Sequence, residues 1–318
     1  MEPFRGRWAV LLAGGEGTRL QALTRSPGGF AVPKQFCSFL GGRSLLQMTL
    51  ERAKRVAPPD HIVPIVAAHH AEWWEGELSE FPVDNVVVQP ENKGTAPGIL
   101  LPLLTILRRW RRPAVAIFPT DHHVDQEHVL RNAVERAYSV LDPRDERIIL
   151  LGMRPEGPAD GLGWIRAGSS DPSGLRTVAE VLEKPDEADK ERLYRMGGLV
   201  NSFILVARGE ALRRLYEETQ PLLLKLLAST MRHHGWTLAT LRHLYAALPA
   251  IDFSRDVLAH AGTRLRVLPV RACGWIDLGT PERLMHWLST RREAPAPQAG
   301  AVAAEAITER PREPVGAV

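Results

Sequence analysis

The sequence predicts an α/β fold with a doubly wound, mostly parallel sheet of the Rossmann-like kind. Short runs of Val, Ile, Leu and Ala recur along the first half of the chain. Longer amphipathic stretches separate these runs, and a glycine-rich turn follows the first of them. Strands that are apolar throughout are typical of parallel sheets covered by helices on both faces. Ligands of such sheets bind beyond the carboxyl ends of the strands.

The apolar runs of the first half are the predicted strands. They are WAVLLA at 8–13, HIVPIVA at 61–67, NVVVQ at 85–89, AVAIF at 114–118 and RIILLG at 147–152. The stretches 44–56 and 127–141 between them have the apolar spacing of helices. This alternation predicts parallel strands joined by helical crossovers.

The pattern changes after residue 152. Extended segments are predicted at 161–168 and 174–185, further strands at 199–207 and 264–270, and helices across about 209–247. We expect these elements to complete the same sheet in one domain over residues 1–290. Residues 291–318 are rich in Ala and Pro and contain no aromatic residue, so we expect a disordered tail there.

Composition argues against several classes of protein. The 318 residues are 44% hydrophobic and 24% charged, which is ordinary for a globular protein with a buried core. The formal net charge of +3 does not favour a nucleic-acid partner. No stretch approaches the ~18 apolar residues of a membrane span. Cys37 and Cys273 match neither a zinc site nor a disulfide framework. We expect a cytoplasmic protein with two reduced thiols.

A glycine-rich turn follows the first predicted strand. The chain runs LLAGGEGTRL at 11–20, and Gly14, Gly15 and Gly17 allow the backbone to approach phosphate oxygens closely. The turn lacks the Gly-Lys-Ser/Thr of a Walker A loop and the third glycine of a dinucleotide fingerprint. Alone it could be a plain strand connection, but Arg19 and Lys34 add a planar and a compact cation suited to phosphates.

The run GGEGTRL, followed by PKQF at 33–36, resembles the signature of sugar-1-phosphate nucleotidyltransferases. The KQF continuation is most similar to the mannose-1-phosphate guanylyltransferase branch. The resemblance implies the nucleotide-diphospho-sugar transferase type of fold, with a nucleotide half of about 1–152 and a sugar-binding half of about 153–290. It also implies that Arg19 binds the triphosphate and leaving pyrophosphate, and Lys34 the α-phosphate. The implied nucleotide contacts of the loop are Leu12, Ala13, Gly14, Gly15, Gly17 and Thr18.

Two aspartates follow predicted strand ends or turns, Asp121 in PTDHH and Asp277 in GWIDLG. Either alone could be an N-cap or an Asx turn. Mg²⁺, however, is usually held by one or two carboxylates together with phosphate oxygens. The resemblance to the family's P-S-D-H and W-x-D-x-G patterns implies that both hold Mg²⁺ between the α-phosphate and the sugar phosphate.

Three pairs of adjacent histidines, at 69–70, 122–123 and 233–234, are assigned no chemical role. Neighbouring side chains on an extended strand point to opposite sides, so they rarely bind one ion together.

Two further groups of residues are implied for substrate recognition. On the nucleotide side they are Gln89, Gly94 and Thr95, where Gly94 would admit the purine and Thr95 would cap the next helix. On the sugar side the family's Y-G-Y/W-I turn implies Gly163, its E-K-P pattern implies Glu183 and Lys184, and its W-N-S-G pattern implies Asn201. Phe203 stands where the family has glycine, so we expect a narrower sugar pocket.

The resemblance therefore predicts an enzyme that uses Mg²⁺ to join GTP and mannose-1-phosphate into GDP-mannose. One alternative is an adenylyl- or thymidylyltransferase acting on glucose-1-phosphate or another hexose phosphate. Another is a non-catalytic, nucleotide-sugar-binding regulatory subunit, which the retained Arg19, Lys34, Asp121 and Asp277 argue against. A nicotinamide-dependent dehydrogenase shares the fold class but needs the missing third glycine. Homodimerisation is the default expectation, and no nucleic-acid or membrane partner is expected.

Overall fold

The computed structural model describes residues 6–292, except residues 27, 40, 157–158 and 235. Most strands of the first half form in the apolar runs that the sequence predicted. The strands are β1 (Arg7–Ala13), β2 (Ile62–Ala67), β3 (Val87–Gln89), β4 (Ala114–Pro119), β5 (His122–His123), β6 (Ile148–Met153), β7 (Trp164–Ser170), β8 (Arg176–Leu182), β9 (Leu199–Arg208), β10 (Leu265–Val270) and β11 (Ile276–Asp277).

A nine-stranded sheet in the order β3-β2-β1-β4-β9-β6-β10-β8-β7 forms the centre of the described structure. The strands β1 to β4 are parallel to one another, as are β6 and β10. Strand β9 lies antiparallel between β4 and β6, and β8 lies antiparallel beside β10 and β7. All the other strands of this sheet run one way, so the predicted mostly parallel α/β class is confirmed.

The helices of the described residues lie mainly on the two faces of the sheet. They are α1 (Leu45–Lys54), α2 (Ala71–Glu77), α3 (Thr95–Arg109), α4 (Glu127–Ser139), α5 (Glu187–Arg195), α6 (Gly209–Thr219), α7 (Pro221–His234), α8 (Leu238–Ala247), α9 (Phe253–Asp256) and α10 (Pro281–Arg292). None of them is long and apolar enough to cross a membrane.

Alternating side chains of β1 enter two separate cores. Ala9 and Leu11 pack with residues of α1 and α4 on one face, whereas Trp8 and Val10 pack with α3 and α6 on the other. Burial on both faces explains why the strand is apolar at every position after Arg7. A third, smaller cluster joins Leu20, just after the glycine-rich turn, to Leu284 and other residues of α10 and its surroundings.

Several boundaries differ from the sequence prediction, and two of these differences concern β3 and α10. Strand β3 begins at Val87 rather than 85, because Asn85 lies in a short 3₁₀ turn and donates its side-chain amide to the carbonyls of Asp60 and Ile62. Helix α10 extends to Arg292, so it includes the first two residues of the predicted tail. The rest of the predicted tail, 293–318, lies outside the described residues.

Candidate active site

A cleft of about 340 Å³ opens at the carboxyl ends of β1, β3 and β4. Most of the residues that the sequence singled out lie in its wall: Leu12, Gly14, Gly15, Arg19, Lys34, Gln89, Gly94, Thr95, Asp121, Gly163, Glu183, Lys184, Asn201 and Asp277. Ala13, Gly17 and Thr18 are not part of the described wall and lie along the same turn. The nucleotide-side and sugar-side residues thus face one shared space.

The glycine-rich turn is held in place by Gln35, to which the sequence prediction assigned no role. The buried amide of Gln35 donates to the carbonyl oxygens of Ala13 at 3.0 Å and Gly15 at 2.8 Å. Gly17 has a φ of 63°, and a Cβ there would lie 3.1 Å from the backbone nitrogen of Lys34. The turn and the segment around Lys34 therefore pack closely against each other at the carboxyl end of β1.

Lys34 and Asp121 form an ion pair in the cleft. Burial by itself raises the pKa of Asp121, but the Lys34 ammonium and nearby His122 outweigh burial and hold that pKa well below its usual range. Asp121 is therefore a carboxylate at neutral pH. A cation that binds this carboxylate competes with, or lies beside, the lysine.

His122 supports the Asp121 carboxylate from the other side. Its Nδ1 accepts a hydrogen bond from the Trp275 indole at 3.3 Å, and its Nε2 lies 3.6 Å from an Asp121 oxygen. Burial lowers the pKa of His122, although Asp121 opposes that effect. The ring is therefore neutral at pH 7, with its proton on Nε2 facing Asp121. The expectation that His122 and His123 point apart is met, since His123 contacts Asp125 instead.

A two-stranded ladder brings the second aspartate to the first. Asp277 of β11 pairs with His122 of β5, and the amide of Leu278 donates to the Asp121 carbonyl at 3.1 Å. No local sequence pattern signals this pairing, because each strand has only two residues.

Arg283 holds the Asp277 side chain in place. This arginine is 2% exposed and donates to an Asp277 carboxylate oxygen at 3.1 Å and to its carbonyl at 2.7 Å. A Cβ at Gly279 would lie 2.4 Å from the same carboxylate and 3.2 Å from the Arg19 guanidinium. Arg19 and Asp277, predicted on separate grounds, are thus close neighbours at this point of the cleft.

In the nucleotide-side segment, the structure gives Gly94 a packing role and contradicts the role predicted for Thr95. Gly94 has a φ of 89°, and a Cβ there would lie 2.3 Å from the Ile251 carbonyl, so close packing against protein backbone already requires glycine. The prediction that Thr95 caps α3 is wrong, because the N-cap is Gly94. The Thr95 hydroxyl instead accepts from the Phe253 amide at 2.7 Å. This contact helps to bring Asp252 and Ser254, which the sequence did not single out, into the cleft.

The sugar-side residues converge on Gly163. A Cβ at Gly163 would lie 2.9 Å from a Glu183 carboxylate oxygen. The Gly163 carbonyl accepts a hydrogen bond from the backbone N–H of Asn201 at 2.8 Å. Burial raises the pKa of Glu183, and Asp252 adds to that rise while Lys184 opposes it. A hydroxyl group that donates a hydrogen bond to this half-buried carboxylate would therefore offset part of its desolvation.

Phe203 lines the cleft in an unusual backbone conformation. Its φ is 57°, a left-handed value that favours glycine, and it lies where the pairing of β9 with β6 is irregular. Its ring meets that of Phe253 edge-on at 6.0 Å. The aromatic contact holds the side chain at the wall, and the expected narrowing of the sugar pocket stays a prediction.

The sequence profile of the nucleotidyl transferase family matches residues 8–292. The chain belongs to this family. Among family relatives, it is 28% identical over 285 residues to the xanthan biosynthesis protein XanB of Xanthomonas campestris pv. campestris (strain B100), which covers 87% of this chain and 58% of that protein. It is 26% identical over 279 residues to the mannose-1-phosphate guanylyltransferase RfbM of Salmonella typhimurium, covering 85% of this chain and 56% of RfbM.

One solved structure with similar architecture is described as a mannose-1-phosphate geranyltransferase from Thermus thermophilus. It aligns with a TM-score of 0.77 and 25% identity, over 89% of this nucleotidyl transferase and 79% of that chain. This chain thus spans little more than half the length of the two relatives named above.

Proposed function

We propose that this nucleotidyl transferase is a mannose-1-phosphate guanylyltransferase, which converts GTP and mannose-1-phosphate into GDP-mannose and pyrophosphate. The observation that carries the proposal is the single cleft, in which the glycine-rich turn with Arg19 and Lys34 faces Glu183 and Lys184. Two phosphate-bearing substrates need two sets of recognition groups that meet at one point. The resemblance of RfbM, at 26% identity, supports the choice of base and sugar.

In the proposed reaction an oxygen of the sugar phosphate attacks the α-phosphorus of the triphosphate. A new phosphorus–oxygen bond forms as the bond between the α-phosphorus and the bridging oxygen breaks, and pyrophosphate leaves with the bonding electrons. No protein nucleophile is required, so the residues align the reactants and neutralise charge. Arg19 would bind the triphosphate and the leaving pyrophosphate, and Lys34 would bind the α-phosphate.

The two aspartates provide the donors that Mg²⁺ prefers. Asp121 and Asp277 are carboxylates in the wall of the cleft, adjoining each other across the β5–β11 ladder. Hard oxygen donors of this kind fit Mg²⁺. When bound, the ion would neutralise charge on the phosphate oxygens. Arg283 would keep the Asp277 carboxylate oriented toward the ion.

A substrate panel tests the proposal. Four nucleoside triphosphates are combined with mannose-1-phosphate and with glucose-1-phosphate, and pyrophosphate release is measured. We expect GTP with mannose-1-phosphate to give the highest kcat/KM. Faster turnover of ATP or dTTP with glucose-1-phosphate would instead establish the adenylyl- or thymidylyltransferase alternative. If no pair of substrates releases pyrophosphate, the proposed enzymatic activity is contradicted.

The role of Asp277 has a sharper test with a matched control. Asp277→Asn keeps the shape of the side chain and an oxygen that can accept from Arg283, but it removes the charge, so we expect kcat to fall by at least about 100-fold in a protein that still folds. Asp84→Asn makes the same change at an exposed position outside the cleft and should leave kcat unaltered. Equal activity of the two variants would remove Asp277 from the proposed metal site.

A further inference from the structure

The glycine-rich turn and the end of β2 carry a second group of metal-binding side chains. These are Glu16, between Gly15 and Gly17, and the adjacent His69 and His70. Strands β1 and β2 are parallel neighbours, with Ala13 opposite Val66, so the segments that follow them meet at the same edge of the sheet. None of the three residues belongs to the described wall of the cleft.

The two histidines adopt an arrangement that the sequence prediction excluded. They lie in a 3₁₀ helix (Ala68–His70), not on an extended strand, and their ring centroids are 4.0 Å apart. The expectation that they point to opposite sides is therefore wrong for this pair. Both Nε2 atoms face one Glu16 oxygen, at 3.0 Å for His69 and 3.4 Å for His70.

These separations match the edges of a tetrahedral zinc site. With Zn–N and Zn–O bonds of about 2.0–2.1 Å, neighbouring donor atoms of a tetrahedron lie about 3.3 Å apart. All three donor atoms lie within 4.8 Å of one another, so a small movement of the exposed His69 completes the set. Two imidazoles and one carboxylate form the His₂Glu donor set that zinc accepts while keeping a fourth position open.

His70 is the observation that argues most strongly for a ligand. Its side chain is buried, and its Nε2 atom lies 3.4 Å from a Glu16 oxygen, which is long for a hydrogen bond. Buried polar groups normally have close partners. A cation bound to Nε2 would give this atom such a partner, while the more exposed Glu16 and His69 leave a route for the cation to enter.

We propose that Glu16, His69 and His70 bind one Zn²⁺ ion, or a divalent transition ion with the same ligand preference, at a site separate from the aspartates of the cleft. The bound ion ties the phosphate-facing turn to the end of β2. It thereby restrains Gly15 and Gly17, which flank one of its ligands. The inference uses only these three side chains and stands independently of the proposed function.

Zinc titration of the metal-free full-length protein tests the site. Calorimetry is performed in excess Mg²⁺, which prefers oxygen donors and occupies the carboxylates of the cleft. We expect one Zn²⁺ per chain for the wild type and for Asp277→Asn. Binding should be at least tenfold weaker in His69→Asn, which changes an exposed side chain, and in Glu16→Gln, which changes a partly exposed one.

His128→Asn is the matched control, because it changes an exposed histidine on α4 outside the group. It should bind Zn²⁺ as the wild type does. A rise in melting temperature with Zn²⁺ should appear in the wild type and in His128→Asn but be lost in His69→Asn. Absence of zinc binding, equal binding by His69→Asn, or loss of binding in Asp277→Asn would each overturn the proposal.

Discussion

At the scale of single residues, a substitution at Gly15 can test phosphate binding without disturbing the fold. A Cβ built at Gly15 meets nothing within 4 Å, and its φ lies outside the left-handed region, whereas a Cβ at Gly14 would lie 2.3 Å from the Gln89 amide nitrogen. The folded protein therefore tolerates Gly15→Ala. If phosphate oxygens approach this backbone, the added methyl group obstructs them.

We expect Gly15→Ala to leave the melting temperature unchanged and to raise KM for the triphosphate about tenfold, a change of about 1.4 kcal/mol. Initial rates at varied triphosphate concentration and a thermal melt check both expectations. Gly14→Ala should instead lower the melting temperature. An unchanged KM in Gly15→Ala would show that the turn does not approach the phosphates at this residue.

The two cysteines give a prediction with a defined dependence on pH. Burial, with a smaller effect of Glu77, raises the pKa of Cys37 to about 12, and burial with Glu156 raises that of Cys273 to about 11. Both are free thiols in the described structure. At pH 8 they are almost wholly protonated, and the thiolate is the form that reacts with alkylating reagents.

Alkylation by iodoacetamide at pH 8 should be at least about 100-fold slower in the native protein than in the denatured chain, whose thiols have a pKa near 8.5. The free energy of unfolding should also fall as pH rises above about 8.5, because only the unfolded thiols release their protons readily there. Rapid modification of either cysteine at pH 8 would contradict these raised pKa values.

At the scale of elements, a buried ion pair joins α1 to α4. The Arg52 side chain is 2% exposed and binds Glu127 through two of its nitrogen atoms. Removing the carboxylate leaves a buried guanidinium without its charged partner. By contrast, the pair of Lys54 and Glu51 on the outer face of α1 is 36% and 40% exposed.

We expect Glu127→Ala to lower the free energy of unfolding by about 2–4 kcal/mol, toward the range for broken buried pairs. Glu51→Ala, the matched control, should change it by less than about 1 kcal/mol. Urea denaturation of both variants provides the measurement. Similar losses in the two would mean that Arg52 finds water or another acceptor when Glu127 is absent.

Elements that a local sequence pattern determines were predicted well. Contacts between residues that are far apart in the sequence were predicted poorly. The strand at 8–13 is apolar because both faces are covered, which composition alone reveals. Asp277 was predicted from its motif, but Arg283, which donates to the Asp277 carboxylate, was not. No local sequence pattern indicates that an arginine six positions later is buried. Thr95 was misassigned because its hydroxyl binds a segment 158 residues away.

At the scale of the whole molecule, the cleft depends on contacts between distant parts of the chain. Asp277 reaches Asp121 through the β5–β11 ladder, and Thr95 binds the backbone of Phe253. Contacts with a large separation in sequence form late in folding, because they must offset a large loss of chain entropy.

We expect activity to return more slowly than helical circular dichroism when the denatured protein is diluted into buffer. Stopped-flow circular dichroism and timed assays of pyrophosphate release measure the two phases. The control is native protein held in the same residual denaturant, which should be active without delay. Simultaneous recovery of both signals would show that the ladder forms together with the rest of the sheet.

The position of β11 also bears on how the protein is made. Translation delivers the glycine-rich turn first and the short strand with Asp277 more than two hundred residues later. A nascent chain that has reached α8 already contains Arg19 and Lys34, the predicted phosphate-binding cations, but lacks Asp277. We therefore expect a ribosome-bound intermediate of this length to have no turnover. Synthesis of β11 supplies the second carboxylate of the proposed catalytic site.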